Sequence, residues 1–250
     1  MRQLALAKKL LWLTVGSIFI TVFVLSSVLW WQLSQSNEQL AGQSEKLIVA
    51  EVEDKLSSNA AAYGEQVAGF INEAYRVPYS FAAILGDEQA ANAITRDAVV
   101  ELNRALLEKN TLLSSIYTQF ERNGFDGRDA NFISGYDHSV AGAGTLEIYF
   151  TRNRDGAIEQ QVVEDVEEKY VDKLSEFGQR EAEWYLCAKD TKVPCIMEPY
   201  LYEISPGYSE MMTSLTVPII RNSEFIGVAG VDLTLPVFQT MTEKLSKRAV

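Results

Sequence analysis

One histidine, two cysteines, fewer bases than acids, and a 28-residue stretch with no charge at all define what this 250-residue chain does without. His138 stands alone, so neither a histidine-based metal site nor a Ser-His-Asp arrangement can be assembled. Lys and Arg total 22 against 34 Asp and Glu, a net charge of −12. That balance excludes nucleic acid as a partner, because binding phosphates needs a basic surface. There is no Gly-x-Ser-x-Gly elbow, since Gly207-Tyr208-Ser209 continues into Glu210-Met211, and no phosphate loop. The chain is therefore expected not to be an enzyme and to carry no metal and no cofactor. Cys187 and Cys195 are too few for a zinc site; in an oxidising compartment they are expected to form a disulfide.

The uncharged stretch runs from Leu10 to Asn37, with an apolar core at residues 10–31. About 20 helical residues cross a hydrocarbon layer, and a helix satisfies every backbone group there without water. Arg2, Lys8 and Lys9 precede it with no acid among them, so residues 1–9 are expected in the cytoplasm and residues 38–250 outside. Trp30-Trp31 falls where an interfacial aromatic anchor belongs. A cleaved signal peptide would have a shorter apolar stretch and a small-residue cleavage site, for which Val-Leu-Trp-Trp-Gln is a poor context.

From Gln39 to Ile84 apolar or small residues recur at Leu40, Leu47, Val52, Leu56, Ala60, Tyr63, Val67, Phe70 and Ala74, mostly three or four apart. This reads as a stalk helix over residues 37–85. Its stripe must pack on the rest of the domain, on a second copy in a homodimer, or on both, and Pro78 is expected to kink it. A second helix is expected over Asp87–Asn110, then the period changes. Strands are expected at Leu112–Arg122, Thr145–Arg152, Cys195–Ile204, Met211–Arg221 and Phe225–Leu233, with a glycine-rich loop at Phe125–Gly144 and a helix at Glu164–Gln179. Residues 86–235 thus read as one α+β module, an antiparallel sheet with flanking helices, and residues 236–250 as an exit helix.

The segment richest in chemistry holds Arg180, Trp184, Tyr185, Tyr200, then Met212–Pro218, then Gly227-Val-Ala-Gly230-Val-Asp232. The aromatics offer broad surfaces with polar handles, the glycines allow close approach, and Asp232 at the end of an apolar strand needs a partner such as an ammonium. The plainer reading makes Trp184 and Tyr185 core and Asp232 a cap for the helix beginning near Pro236. The layout of span, stalk, strand pair, Trp-Tyr, Tyr and final Gly-Val-x-Gly-Val-Asp strand resembles the double-Cache extracytoplasmic sensor domains of bacterial chemotaxis receptors, sensor kinases and cyclic-di-GMP enzymes. The resemblance implies a PAS-like sheet of five to six antiparallel strands forming a membrane-distal ligand-binding module. It implies a place on the periplasmic side of the inner membrane, and a small amine or amino acid as ligand. In the amino-acid-binding members an Arg two residues before the Trp grips the ligand carboxylate and the final Asp grips the amine. Here Arg180, Trp184, Tyr185, Tyr200 and Asp232 stand at matching places, but Ala182 occupies the carboxylate-gripping position and Cys187 replaces an acid three residues after the Trp. Either Arg180 takes over the carboxylate, or the ligand is a cation without one, which Glu183, Glu198 and Glu203 would suit, or it is something else.

Overall fold

The computed structural model describes residues 2–175, 178–205 and 207–236, and the chain divides into two compact units, residues 1–65 and 66–250. Helix α1 (Arg2–Gly86) carries both the expected span and the expected stalk. From Val15 it contains a stretch long and apolar enough to cross a membrane. Phe19, Phe23, Leu25, Trp30 and Trp31 are exposed, as a lone membrane helix requires. Thr21 and Ser27 turn their hydroxyls back onto the carbonyls of Ile18 and Phe23, which hides polar groups within an apolar segment. Leu40, Leu47, Val52 and Leu56 are likewise exposed. Pro78 lies within α1, and the helix continues past it to Gly86.

In the second unit the single helix expected over 87–110 is two. The Asp87 side chain accepts from the Ala90 N–H at 2.8 Å and starts α2 (Glu88–Ala93); Thr95 accepts from the Ala98 N–H at 3.2 Å and starts α3 (Arg96–Lys109). A cap hydroxyl directly after β-branched Ile94 favours a stop and restart there.

Among the described residues seven strands pair antiparallel: β1 (Ser115–Phe120), β2 (Glu147–Arg152), β3 (Ile158–Gln161), β4 (Cys195–Ile196), β5 (Tyr200–Ser205), β6 (Tyr208–Arg221) and β7 (Glu224–Thr234). Their order is β3-β2-β1-β7-β6-β4, with β5 also on β6. The expected strand at 195–204 is therefore two short ones on a single partner, and β3 had no counterpart in the expectation. Asn222 and Ser223 both take positive φ, 50° and 67°, as the tight turn between β6 and β7 demands.

Alternation along β1 separates two faces. Ile116 and Phe120 join Ile148, Phe150, Leu215, Ile219, Val231 and Leu233 in the main core, against Val99 and Leu107 of α3 and Phe81 and Leu85 near the end of α1. Ser115, Tyr117 and Gln119 point to the other face. That face is covered by helix α4 (Glu183–Thr191) and by the segment 162–171.

The helix expected over 164–179 is absent from its described part, which holds a single 3₁₀ turn, Glu168–Tyr170. Tertiary demand overrides local propensity here. Lys169 is drawn inside to the carboxylate of Glu147, and Ala182 N–H and Glu181 N–H bond back to the carbonyls of Val171 and Lys173. The helix falls instead at α4, over residues anticipated as loop. The expected exit helix at 236–250 lies outside the described residues beyond Pro236.

Candidate functional site

A cavity of about 620 Å³ lies on the polar face of the sheet. Strand pairing sets its floor: Ser115 lies opposite Asp232, Tyr117 opposite both Gly230 and Tyr149, and Ser214 opposite Asp232 from the other side. Tyr117 rises from β1, Tyr149 from β2, and Tyr200 and Tyr202 from β5, and Trp184 descends from α4 to meet the Tyr117 ring edge-on at 5.4 Å. Glu164, Asp165, Glu168 and Glu181 complete the lining with acids.

Asp232 is 2% exposed. One carboxylate oxygen accepts from Ser115 Oγ and the other from Ser214 Oγ at 2.5 Å. Because Ser214 gives its proton to Asp232, the 2.8 Å bond between Tyr200 Oη and Ser214 Oγ is donated by Tyr200, so a proton relay runs Tyr200 to Ser214 to Asp232. Burial pushes the Asp232 carboxyl up to about 6, and the two serine hydroxyls hold it from going higher. Its ordinary value is 3.8. No basic side chain bonds or pairs with it among the described contacts. A carboxylate this buried attracts any cation that can reach it.

The glycines of β7 perform different tasks. A Cβ on Gly227 would lie 2.3 Å from the carbonyl oxygen of Gln119, so this residue lets the β1 backbone come close. A Cβ on Gly230 would lie 2.2 Å from Cζ of Tyr117 and 2.5 Å from its hydroxyl oxygen. The close neighbour of Gly230 is thus a side chain, and the phenol rests on bare backbone. The Tyr117 hydroxyl is buried and has no hydrogen-bond partner among the described residues. Burial, reinforced by the nearby Asp232 charge, holds its pKa well above the ordinary phenol value, against a smaller lowering by the Ser214 hydroxyl, which lies close without meeting hydrogen-bond geometry.

Of the five ligand-binding residues expected from sequence, Trp184, Tyr200 and Asp232 line this cavity and the other two do not. Tyr185 is fully buried beneath it, donating to Glu121 at 2.8 Å and packing on Val228, Ala188 and Phe225. Arg180 is held on the surface by Glu183, by Asp190 at 2.7 Å and by Asp172 at 3.7 Å, and Glu183 and Asp190 raise its pKa further. Glu183 is engaged by Arg180, Glu203 accepts from the Gly207 N–H, and neither they nor Glu198 line the cavity. Ala182 is buried at the start of α4. Cys187 and Cys195 form a disulfide that ties α4 to β4, and the Cys195 carbonyl accepts a 2.6 Å bond from Tyr75 of α1. Among the described residues no group of three or more His, Cys, Asp or Glu could hold a metal.

Reading the sequence missed Tyr117, Tyr149, Ser115 and Ser214, although the alternation Ser-Ile-Tyr-Thr-Gln-Phe of β1 carried the signal. It also missed a buried ion pair. Lys169 donates to Glu147 and to the Phe120 carbonyl; both side chains are nearly inaccessible, and burial raises Glu147 against the pull of the lysine. Among the described residues Lys169 is the one cation lining the cavity, and it is already paired.

Residues 130–240 match the family model described as methyl-accepting chemotaxis protein-like, first PDC sensor domain. The chain is 27% identical over 150 residues to the methyl-accepting chemotaxis protein TlpQ of Pseudomonas aeruginosa, covering 60% of this chain and 21% of that protein. Among solved structures it is similar to methyl-accepting chemotaxis protein X, with 25% identity and a TM-score of 0.61, covering 76% of this chain and 65% of that one. It is also similar to the extracellular domain of the putative histidine kinase mmHK1S-Z2, with 24% identity and a TM-score of 0.56, covering 70% and 57%. The chain thus spans about a fifth of its curated relative and a little over half of that kinase structure. Residues 130–240 are thus similar to a PDC-type sensor domain of chemoreceptors, and the α+β architecture is that of the similar solved structure.

Proposed function

We propose that this chain is the extracytoplasmic sensing part of a membrane chemoreceptor, of the double-Cache type, and that its cavity binds a small amine-bearing molecule. The observation that carries the ligand class is Asp232: a buried carboxylate, without a cationic partner among the described residues, on a floor walled by aromatic rings. An ammonium supplies the missing charge, and ring faces attract it as well. Arg180 is held by acids elsewhere and Lys169 by Glu147, which favours an amine over an amino acid gripped at both ends. The acids lining the rest of the cavity point the same way.

The basic residues before the span support an inner-membrane protein with its sensor in the periplasm. The exposed stripe Leu40, Leu47, Val52 and Leu56 supports a homodimer through α1, and that helix is the route for a signal. A ligand that binds two arrangements of the module unequally shifts their populations. The likeness to a kinase sensor supports a second reading, the same sensor joined to a histidine kinase or cyclic-di-GMP output; a membrane-anchored binding protein is a third.

A thermal-shift screen of the full chain in nanodiscs against amines, amino acids and carboxylates tests the ligand class. A ligand at a hundred times its Kd should stabilise by about 2.7 kcal/mol. Amines should raise the melting temperature, and Asp232→Asn should abolish the rise. Stabilisation by carboxylates alone, or equal shifts in the Asp232→Asn variant, would contradict the reading.

A further inference from the structure

An aromatic cavity holding a carboxylate would draw in any organic cation, because ring faces and negative charge attract N-methyl groups as readily as N–H. The buried hydrogen-bonding groups are more selective. Asp232 has about four lone-pair sites, of which Ser115 and Ser214 each fill one. Tyr117, 4% exposed and lining the same cavity, has a hydroxyl with no hydrogen-bond partner among the described residues. Ser214, on the same sheet face, already donates to Asp232 and accepts from Tyr200. Gly230 leaves room for the phenol, since any side chain there would collide with the ring, and Tyr149 and Trp184 pack edge-on against it. Among the described residues the floor therefore offers unfilled acceptor positions on Asp232 and an unpaired phenol on the same face.

We infer that the site selects an amine that still bears N–H, a primary or secondary ammonium, and that Tyr117 is the residue that tells it from a quaternary ammonium. This rests on the amine reading above and goes one step further. An ammonium with protons donates to Asp232 and to Tyr117 Oη together. A quaternary nitrogen presents methyl groups to both, desolvates them and satisfies neither. Sites built around buried hydrogen-bonding groups reject analogues that leave those groups unpaired.

The test uses matched pairs, propylamine against propyltrimethylammonium and ethanolamine against choline, titrated calorimetrically into the full chain in nanodiscs. The native protein should bind the N–H member of each pair at least about tenfold more tightly, the difference expected of a hydrogen bond to a charged group. Tyr117→Phe keeps the ring, should weaken the N–H member by about tenfold, and should leave the trimethyl member within about twofold. The comparison on the native protein stands whether or not the variant folds. Trimethyl cations binding as tightly as their N–H counterparts overturns the inference; if Asp232→Asn then abolishes both, the amine reading survives without it. Equal loss on both members in a folded Tyr117→Phe protein also overturns it. If no member of either pair binds the native chain, the inference and the reading beneath it fall together.

Discussion

The two faces of one sheet follow opposite rules. Toward α3 and the end of α1, Ile116, Phe120, Leu215 and Val231 close a continuous apolar core. One residue out of phase, the same strands present Ser115, Tyr117, Ser214 and Asp232, and there burial comes with incomplete satisfaction among the described residues: a carboxylate without a cation and a phenol without a partner. The first face gains stability from every buried atom. The second keeps polar groups dry at a cost, which the amine proposed above would relieve on binding. A stable face and a receptive face are obtained from one set of backbone hydrogen bonds.

Truncation should separate the two most strongly. Phe120→Ala removes a fully buried ring from the apolar face and should cost about 3–5 kcal/mol by chemical denaturation, with amine affinity unchanged in whatever remains folded. Lys169→Met blurs the contrast, because it strands Glu147 on the polar side. A loss of about 3–5 kcal/mol is expected there, with Lys169→Met/Glu147→Leu recovering most of it, and a single variant as stable as the parent would show that the pair is not a buried ion pair.

Opening the disulfide is a smaller perturbation. Cys187→Ser/Cys195→Ser should lower stability by about 2–3 kcal/mol and weaken amine binding, since α4 carries Trp184; undiminished affinity in calorimetry would mean that α4 holds its place unaided.

Acidity gives the subtlest comparison. The Asp232 carboxyl holds its proton up to about pH 6 when folded and loses it near 3.8 when unfolded. Its contribution therefore favours the unliganded fold at low pH and fades as pH rises from about 4 to about 6, by on the order of 3 kcal/mol at most. Ammonium binding has the reverse sign, weakening up to about tenfold per unit below pH 6, because it needs the charged carboxylate. Melting profiles of the parent and Asp232→Asn, subtracted to remove other groups such as Glu147, should show the first effect, and titrations at pH 5 and pH 7 the second. Superimposable profiles would remove Asp232 from both roles.

Much of the fold could be read in advance where one local signal dominated. The uncharged run announced α1, and strong β-branched alternation placed β1, β2, β6 and β7 within a few residues. Reading failed where distant groups decide. Nothing near Lys169 foretells that Glu147, 22 residues earlier, will draw it inside and break the helix the acidic segment promised. Tyr185, adjacent to Trp184 and chemically alike, lies under the cavity because α4 turns successive residues about 100° apart, so the two rings cannot share one direction.

The amino-acid order by itself determined what local physics can settle: the greasy N-terminal helix, the acidic surface, and the strands with their alternating faces. Tertiary structure alone decided which groups meet. Ser115, Ser214 and Asp232 lie on three strands up to 117 residues apart, and Arg180 was withdrawn from the ligand side by Glu183 and Asp190. Such meetings depend on strand order and register, and those are fixed by burying the whole apolar face at once rather than by any one segment.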